Sequence, residues 1–403
     1  MLVLTLASLT SAAQFYDGMR IELPAVTGQY AVGRQSFHWK DLSRKEGLTD
    51  DPGDYRELMV HVWYPAEPLP NTVVSPYVPS LRLLKDRLDN SLYTILASVR
   101  AHTIADAKLL TGRQRYPVLI FSHGNGMSSF LYSALIEDLA SHGYIVATID
   151  HPYEALFTVF PDGRIVPYLE DKRPASDGPS SQEDLMRYLR ERIQNRAADI
   201  VFVIDKLVEL NANKTEQFAG RLDLASVGVL GHSNGGTAAA QACHMDKRIK
   251  ACVNLDGRAM AGPFYPNANG RGPEQPFMYL AKPLRDLTEK ELADQKMTRK
   301  QFEQERAKAL TRENELMASV TSGSYRVIIK SAAHESFSDE PLVFPGTKSV
   351  AEIQKTLRLV REYTLAFFDK YLRDKKPAII DGIPNQRSEV TVDRFGPALK
   401  NVP

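Results

Sequence analysis

The residues best placed to do chemistry lie in Gly231-His232-Ser233-Asn234-Gly235, a G-x-S-x-G pentapeptide. It follows the apolar run 227–230 and precedes an Ala-rich segment, so it reads as strand, tight turn and helix start. Such a turn pushes the serine hydroxyl out of the sheet. Side chains two positions either way would collide, hence Gly231 and Gly235. The helix start points free N–H groups at the same spot. That arrangement suits a serine attacking a carbonyl carbon.

A serine hydroxyl needs a base within hydrogen-bond reach and a group that orients the base. Two histidines follow Ser233: His244 and His334. His244 falls inside the next helix. His334 falls in Ser331-Ala-Ala-His334-Glu-Ser-Phe, a loop after the candidate strand 325–329, where a base must be; it is the expected base. For the acid, Asp256 ends the strand 251–255 and is favoured. Asp286, beyond the strand 277–280 and inside a charged segment, is the alternative. An oxyanion hole takes two backbone N–H groups. Asn234, next after the serine, supplies one; Asn125, in Phe121-Ser-His123-Gly124-Asn125-Gly126, supplies the other. His123, His151 and His232 read as packing or hydrogen-bonding residues. No cofactor and no metal is expected. Cys243 and Cys252 read as two small buried hydrophobes.

These residues must be positioned by a sheet. Candidate strands are 36–39, 57–63, 116–121, 144–149, 227–230, 251–255, 277–280 and 325–329. The central runs are almost wholly apolar, as for parallel strands covered on both faces. Helical spacing marks 128–141, 183–210 and 350–372. The alternation gives an α/β class. Three segments look inserted. Residues 79–110 read as helical. Residues 162–181 read as an excursion loop. Residues 284–317 carry two capping boxes, Thr288 with Glu291 and Thr298 with Gln301, and so two short helices that form either a solvated surface or a lid. The tail, 376–403, is expected along the surface. Ser233, Asp256 and His334 must meet at one sheet edge, which places residues 14–403 in one domain.

The 403 residues are 43% hydrophobic and carry a formal net charge of +1. That supports a globular core and gives no electrostatic reason to expect a nucleic-acid partner. No apolar stretch is long enough for a multi-pass membrane protein. Residues 1–13 are uncharged and largely apolar. They read either as a leader for secretion or periplasmic export, or as the frayed start of a cytoplasmic protein. Leu84, Leu88, Leu92, Ile95 and Leu96 fit a core face or a peripheral membrane contact.

Several motifs together resemble one family. They are Phe121-Ser-His-Gly-Asn-Gly, Asp138-Leu-Ala-Ser-His-Gly-Tyr-Ile-Val-Ala, Gly231-His-Ser-Asn-Gly-Gly, Leu255-Asp256 and Ala333-His334-Glu-Ser-Phe-Ser-Asp339. With Thr27-Gly-Gln-Tyr-Ala-Val-Gly33 and Val62-Trp-Tyr-Pro-Ala66, they resemble the plasma-type (group VII) platelet-activating factor acetylhydrolase family and its bacterial members. The resemblance implies an α/β-hydrolase fold and a serine esterase without a metal. It implies short-chain acyl ester substrates, such as the sn-2 acetyl group of a phospholipid. It places the acid at Asp256 and the oxyanion donors at Asn125 and Asn234. The chain departs from the family at Asn234, where an aromatic is common, and in the insert 284–317. A general carboxylesterase or polyester hydrolase is the alternative enzyme. A non-catalytic binding protein that keeps the fold is the alternative of another class.

Overall fold

A computed structural model describes residues 20–68, 73–112, 114–169, 179–257, 272–344, 346–381 and 387–396. The leader expectation at 1–13 and residues 170–178 of the excursion loop lie outside them. Ten strands form the central sheet. In chain order they are β1 (Ala31–Lys45), β2 (Tyr55–Ala66), β3 (Thr103–Ile104), β4 (Tyr116–Ser122) and β5 (Ile145–Asp150), followed by β6 (Leu222–His232), β7 (Ile249–Leu255), β8 (Phe277–Ala281), β9 (Ser324–Ile329) and β10 (Val390–Phe395). Their order across the sheet is β10-β9-β8-β7-β6-β4-β5-β2-β1-β3. From β9 through β8, β7, β6 and β4 to β5 every pairing is parallel. The antiparallel pairings are β1 with β2, β2 with β5, and β9 with β10.

The apolar runs divide by parity. Leu119, Phe121, Val253 and Leu255 face one core, which includes Leu135 and Leu139 of α2 (Ser133–Ser141) and Leu357, Val360 and Phe368 of α7 (Val350–Arg373). Val118, Ile120, Val227 and Val229 face the other, with Ile200 and Ile204 of α3 (Pro179–Ala212) and the alanines of α4 (Asn234–Met245). Both faces are covered, so neither parity can be polar. Burying one such side chain stabilises the fold by about 1.5–3 kcal/mol.

The structure departs from expectation at several points. Residues 79–110 are not one helix. A single 3-10 turn, Leu81–Leu84, is followed by α1 (Asn90–Ser98). Asp89 causes the break, because its carboxylate caps the amides of Ser91 and Leu92 and restarts the helix. Leu84, Ile95 and Leu96 are buried in the core and Leu88 and Leu92 pack against it, so the face that suggested membrane contact is used internally. The tail does not merely lie on the surface: β10 extends the sheet, with Val390 and Val392 buried and Asp393 paired with Arg326. Cys243 and Cys252 are not separate thiols but a disulfide, because α4 packs across β7 and brings their Cα atoms to 6.8 Å.

The insert 284–317 forms α5 (Glu289–Asp294) and α6 (Arg299–Ser319), each opened by its expected capping box. The second is not short. Only its last turn, Leu316 and Met317, is buried. The excursion loop begins as a small antiparallel ribbon, Ile165–Pro167 on Phe157–Val159. Among the described residues no helix is long and apolar enough to cross a membrane.

Candidate active site

Ser233 sits between β6 and α4 with φ 54° and ψ −123°. This is a strained conformation for a residue with a side chain, costing about 1–3 kcal/mol. It is fixed by its neighbours. A Cβ on Gly231 would lie 2.4 Å from the Gly235 backbone, and one on Gly235 would lie 2.1 Å from the Ser122 carbonyl oxygen. The Ser233 amide donates to the Leu255 carbonyl at 3.0 Å, which locks the turn to β7.

Asp256 follows β7 directly, also at positive φ. Its amide donates to the Leu280 carbonyl at 2.8 Å. One carboxylate oxygen accepts the Lys282 amide at 3.1 Å. The other lies 2.6 Å from His334 Nδ1 and 3.3 Å from Lys282 Nζ. Burial alone would raise this carboxyl. The His334 hydrogen bond and the Lys282 ammonium hold it below the usual carboxylate value. His334 begins a short 3-10 turn after β9, and its Nε2 lies 3.0 Å from Ser233 Oγ. Its side chain is 39% exposed, against 3% for Asp256, so the imidazole faces solvent and the carboxylate the interior.

The structure thus brings Ser233, His334 and Asp256 into one hydrogen-bonded array. Because the aspartate can only accept, Nδ1 carries the proton and Nε2 is free to accept from the serine. The alternatives lie elsewhere. Asp286 is exposed and bound to Arg299 at 2.6 Å. His244 is eleven positions along α4 from Ser233, roughly 16 Å of helix.

Asn234 is the first residue of α4, where an amide has no acceptor within the helix. Asn125 is exposed in the loop after β4, and its side-chain amide donates to the Tyr168 hydroxyl at 2.7 Å. Among the described backbone hydrogen bonds, neither the Asn125 nor the Asn234 N–H has an acceptor. Among the described residues no group of three His, Cys, Asp or Glu side chains is arranged to hold a metal ion.

Sequence reasoning missed two residues at this site. Lys282 had a local signal, since it is the first position after β8, the strand beside the acid. Tyr132 had none, because its partner His232 is 100 residues away.

Comparison with known proteins fits this geometry. The profile of the family "Platelet-activating factor acetylhydrolase, isoform II" matches residues 18–384. A probable 1-alkyl-2-acetylglycerophosphocholine esterase from Arthroderma benhamiae is 26% identical over 274 residues, 64% of each chain. A platelet-activating factor acetylhydrolase from Cavia porcellus is 29% identical over 238 residues, 52% of each. The aligned part therefore spans about half to two thirds of these two relatives. The Gallus gallus enzyme of that name is 22% identical over 413 residues, 92% of this chain and 90% of its own. Among solved structures, a ferulic acid esterase from Streptomyces cinnamoneus superposes with a TM-score of 0.68 and 28% identity, covering 92% of this chain and 98% of that one. The fold is the α/β-hydrolase fold, and the chain belongs to the platelet-activating factor acetylhydrolase isoform II family.

Proposed function

We propose that the protein is a serine esterase that hydrolyses short-chain acyl esters through an acyl-enzyme. The observation that carries this is the array Ser233–His334–Asp256 at 3.0 and 2.6 Å on a strained strand-to-helix turn. Ser233 Oγ adds to the ester carbonyl while His334 Nε2 takes its proton. Asp256 holds the imidazole in the tautomer that can do this and stabilises its protonated form. The Asn234 and Asn125 N–H groups receive the oxyanion. Collapse of the adduct breaks the ester bond, and the proton on His334 goes to the leaving alcohol. Water, activated by the same histidine, then releases the acid. Residues 14–403 act here as one catalytic unit, in keeping with a single sheet that gathers strands from β1 to β10.

The finer reading is a short sn-2 acyl group on a phospholipid, supported by family membership and by the names of the relatives. A general carboxylesterase acting on soluble esters is the second reading, favoured by the similarity to a ferulic acid esterase. Turnover of a 2-acetyl phospholipid, p-nitrophenyl esters of rising chain length and a feruloyl ester separates them. Preference for the 2-acetyl phospholipid supports the first; preference for the feruloyl ester overturns it. The chemistry itself is tested with a fluorophosphonate probe. Folded protein labelled at Ser233, with Ser233→Ala unlabelled, is expected; an unlabelled wild type sinks the enzyme. We also propose export to an oxidising compartment, supported by the uncharged apolar start and by the Cys243–Cys252 disulfide. Titration of two free thiols in protein taken from its native compartment would contradict it.

A further inference from the structure

We propose that Tyr132 and His232 form a positioning relay that ties the loop of the Asn125 amide to the loop of His334. The proposal rests on the esterase reading and adds to it residues that touch no substrate. Four groups line up. The Gly124 amide donates to the Tyr132 hydroxyl oxygen at 3.0 Å. The Tyr132 hydroxyl lies 2.8 Å from His232 Nδ1. His232 Nε2 lies 2.9 Å from the His334 carbonyl oxygen.

The two ends fix every proton between them. A carbonyl oxygen can only accept, so His232 Nε2 carries the hydrogen and Nδ1 is the acceptor. Tyr132 therefore donates its hydroxyl hydrogen to Nδ1, a stronger acceptor than the Met127 sulfur at 3.1 Å, and its oxygen is left to accept the Gly124 N–H. The chain runs one way, from Gly124 through Tyr132 and His232 to His334. Tyr132 and His232 are 0% and 1% exposed, so water does not compete for these bonds. Among the described residues, the titratable and charged groups acting on His232 are His334, Asp256 and Lys282. Burial, with His334 alongside, holds the His232 imidazole neutral.

Packing leaves the relay little slack. The His232 ring lies 4.6 Å from the His334 ring and is stacked on Phe337 at 5.9 Å. Tyr132 packs on Phe121 at 4.5 Å. A Cβ on Gly124 would approach His232 Nδ1 to 3.0 Å and the Tyr132 oxygen to 3.1 Å, so glycine is what lets the loop reach the relay. The peptide after Gly124 carries the Asn125 amide. The backbone held by His232 carries the base. An error in the distance between them would misplace the oxyanion donor and the proton acceptor together, and small misplacements are costly in such sites.

The test is a double-mutant cycle with Tyr132→Phe and His232→Phe, with His232→Gln as the conservative variant. Two rates are read: turnover of p-nitrophenyl acetate, and fluorophosphonate labelling of Ser233, with thermal melting as a check of folding. Each Phe variant is expected to lower kcat and the labelling rate about 10- to 100-fold with KM within about twofold. The double variant is expected to be no worse than the poorer single one, because either change breaks the same chain. His232→Gln keeps an N–H donor for the His334 carbonyl and should recover part of the loss. Folded variants that keep both rates, losses that multiply in the double variant, or a Gln variant no better than Phe overturn the relay. A wild type that labels but does not turn over esters overturns the esterase reading instead, and leaves the labelling rates to judge the relay.

Discussion

Two Ser–His–Asp arrays with nearly the same spacing lie on opposite sides of the loop after β4. In the candidate site, Ser233 to His334 is 3.0 Å and His334 to Asp256 is 2.6 Å. Beneath the loop, Ser122 Oγ to His151 Nε2 is 2.9 Å and His151 Nδ1 to Asp199 is 2.7 Å. Everything else differs. Ser122, His151 and Asp199 are all fully buried. Ser122 ends a strand with ordinary backbone angles, whereas Ser233 sits at positive φ ahead of a helix N-terminus. Among the described residues, the half-exposed Lys282 is the only other charged partner of Asp256, at 3.3 Å. Asp199 is neutralised by Arg56 at 2.7 Å and Arg44 at 2.8 Å. Burial would raise its carboxyl, but these arginines and His151 push it far below the usual carboxylate range. Hydrogen-bond distance alone therefore does not distinguish the two serines. Access, amides without a backbone acceptor beside the hydroxyl and a carboxylate left to the histidine do, and on the esterase reading these mark Ser233 as the nucleophile.

The buried array has a different task. His123 accepts the His151 amide through Nε2 at 3.1 Å and donates from Nδ1 to the Gly124 carbonyl at 2.6 Å. Arg196 of α3 donates to the His123 carbonyl at 2.5 Å. The cluster anchors the loop that carries Asn125 to β2, β5 and α3.

Removing each serine should separate the two arrays by the widest margin. Ser233→Ala should lower kcat about 10^6-fold and abolish fluorophosphonate labelling. Ser122→Ala should leave labelling at Ser233 and cost about 1–2 kcal/mol of stability through the unpaired His151 nitrogen. Labelling lost in folded Ser122→Ala would mean that the two arrays are not functionally distinct.

The acids come next, because one change read two ways should give opposite results. Asp256→Asn should keep the fold and lower kcat about 10^4-fold by favouring the wrong imidazole tautomer. Asp199→Asn leaves Arg56 buried without that charge and should cost about 3–5 kcal/mol. Denaturant unfolding and steady-state kinetics on both variants decide. An Asp199→Asn protein as stable as wild type would remove the structural role assigned to the buried array.

What the sequence revealed follows the same division. Ser233, with its flanking glycines and strand, is a local pattern, so its turn could be read directly. Asp256 and His334 each lie just beyond the end of a strand, and the ends of parallel strands lie at one sheet edge whatever the details of packing. The capping boxes at Thr288 and Thr298 are complete within four residues. The buried array was not legible, because Ser122, His151, Asp199 and Arg56 come from four elements whose juxtaposition depends on strand order. The disulfide needed the packing of α4 on β7. The alternation in Val390-Thr-Val392-Asp is a strand signal, but too short to stand out in a Pro-rich tail. Within 79–110 the apolar periodicity hid the cap at Asp89.

Acid stability sharpens the contrast with a smaller effect. His123 and His151 have values pushed below the ordinary 6.5 by burial. The unfolded chain then binds more protons than the folded one below about pH 6.5, so stability falls as pH drops, by up to about 1.4 kcal/mol per pH unit for each group. Burial would raise Glu154, but Arg196 and Arg192 hold it at about 2. Its contribution is full above the ordinary 4.5 and is lost as pH falls toward 2. These groups contribute a decline in melting temperature from about pH 6.5 that steepens below about 4.5, while Asp339 and Glu340, raised by burial, act in the opposite sense. His151→Gln should flatten the first part of the decline. An unchanged slope there would show that the buried histidine is not what titrates.

Lys282 should have the smallest effect and is the most specific probe of the exposed array. Its ammonium lies beside the carboxylate that must stabilise the protonated base, and so weakens that stabilisation. Removing the charge in Lys282→Met leaves Asp256 fully available to the imidazolium. The acid limb of the kcat/KM profile should then move to higher pH. Because Lys282 is 39% exposed, solvent screens the interaction and the displacement is modest. The same exposure makes it sensitive to salt. At about 1 M ionic strength the Debye length is near 3 Å, and the wild-type and variant profiles should converge. A displacement in the opposite direction would show that Lys282 acts by holding the Asp256 carboxylate in place. A displacement indifferent to salt would show that the lost contact, not the lost charge, is responsible.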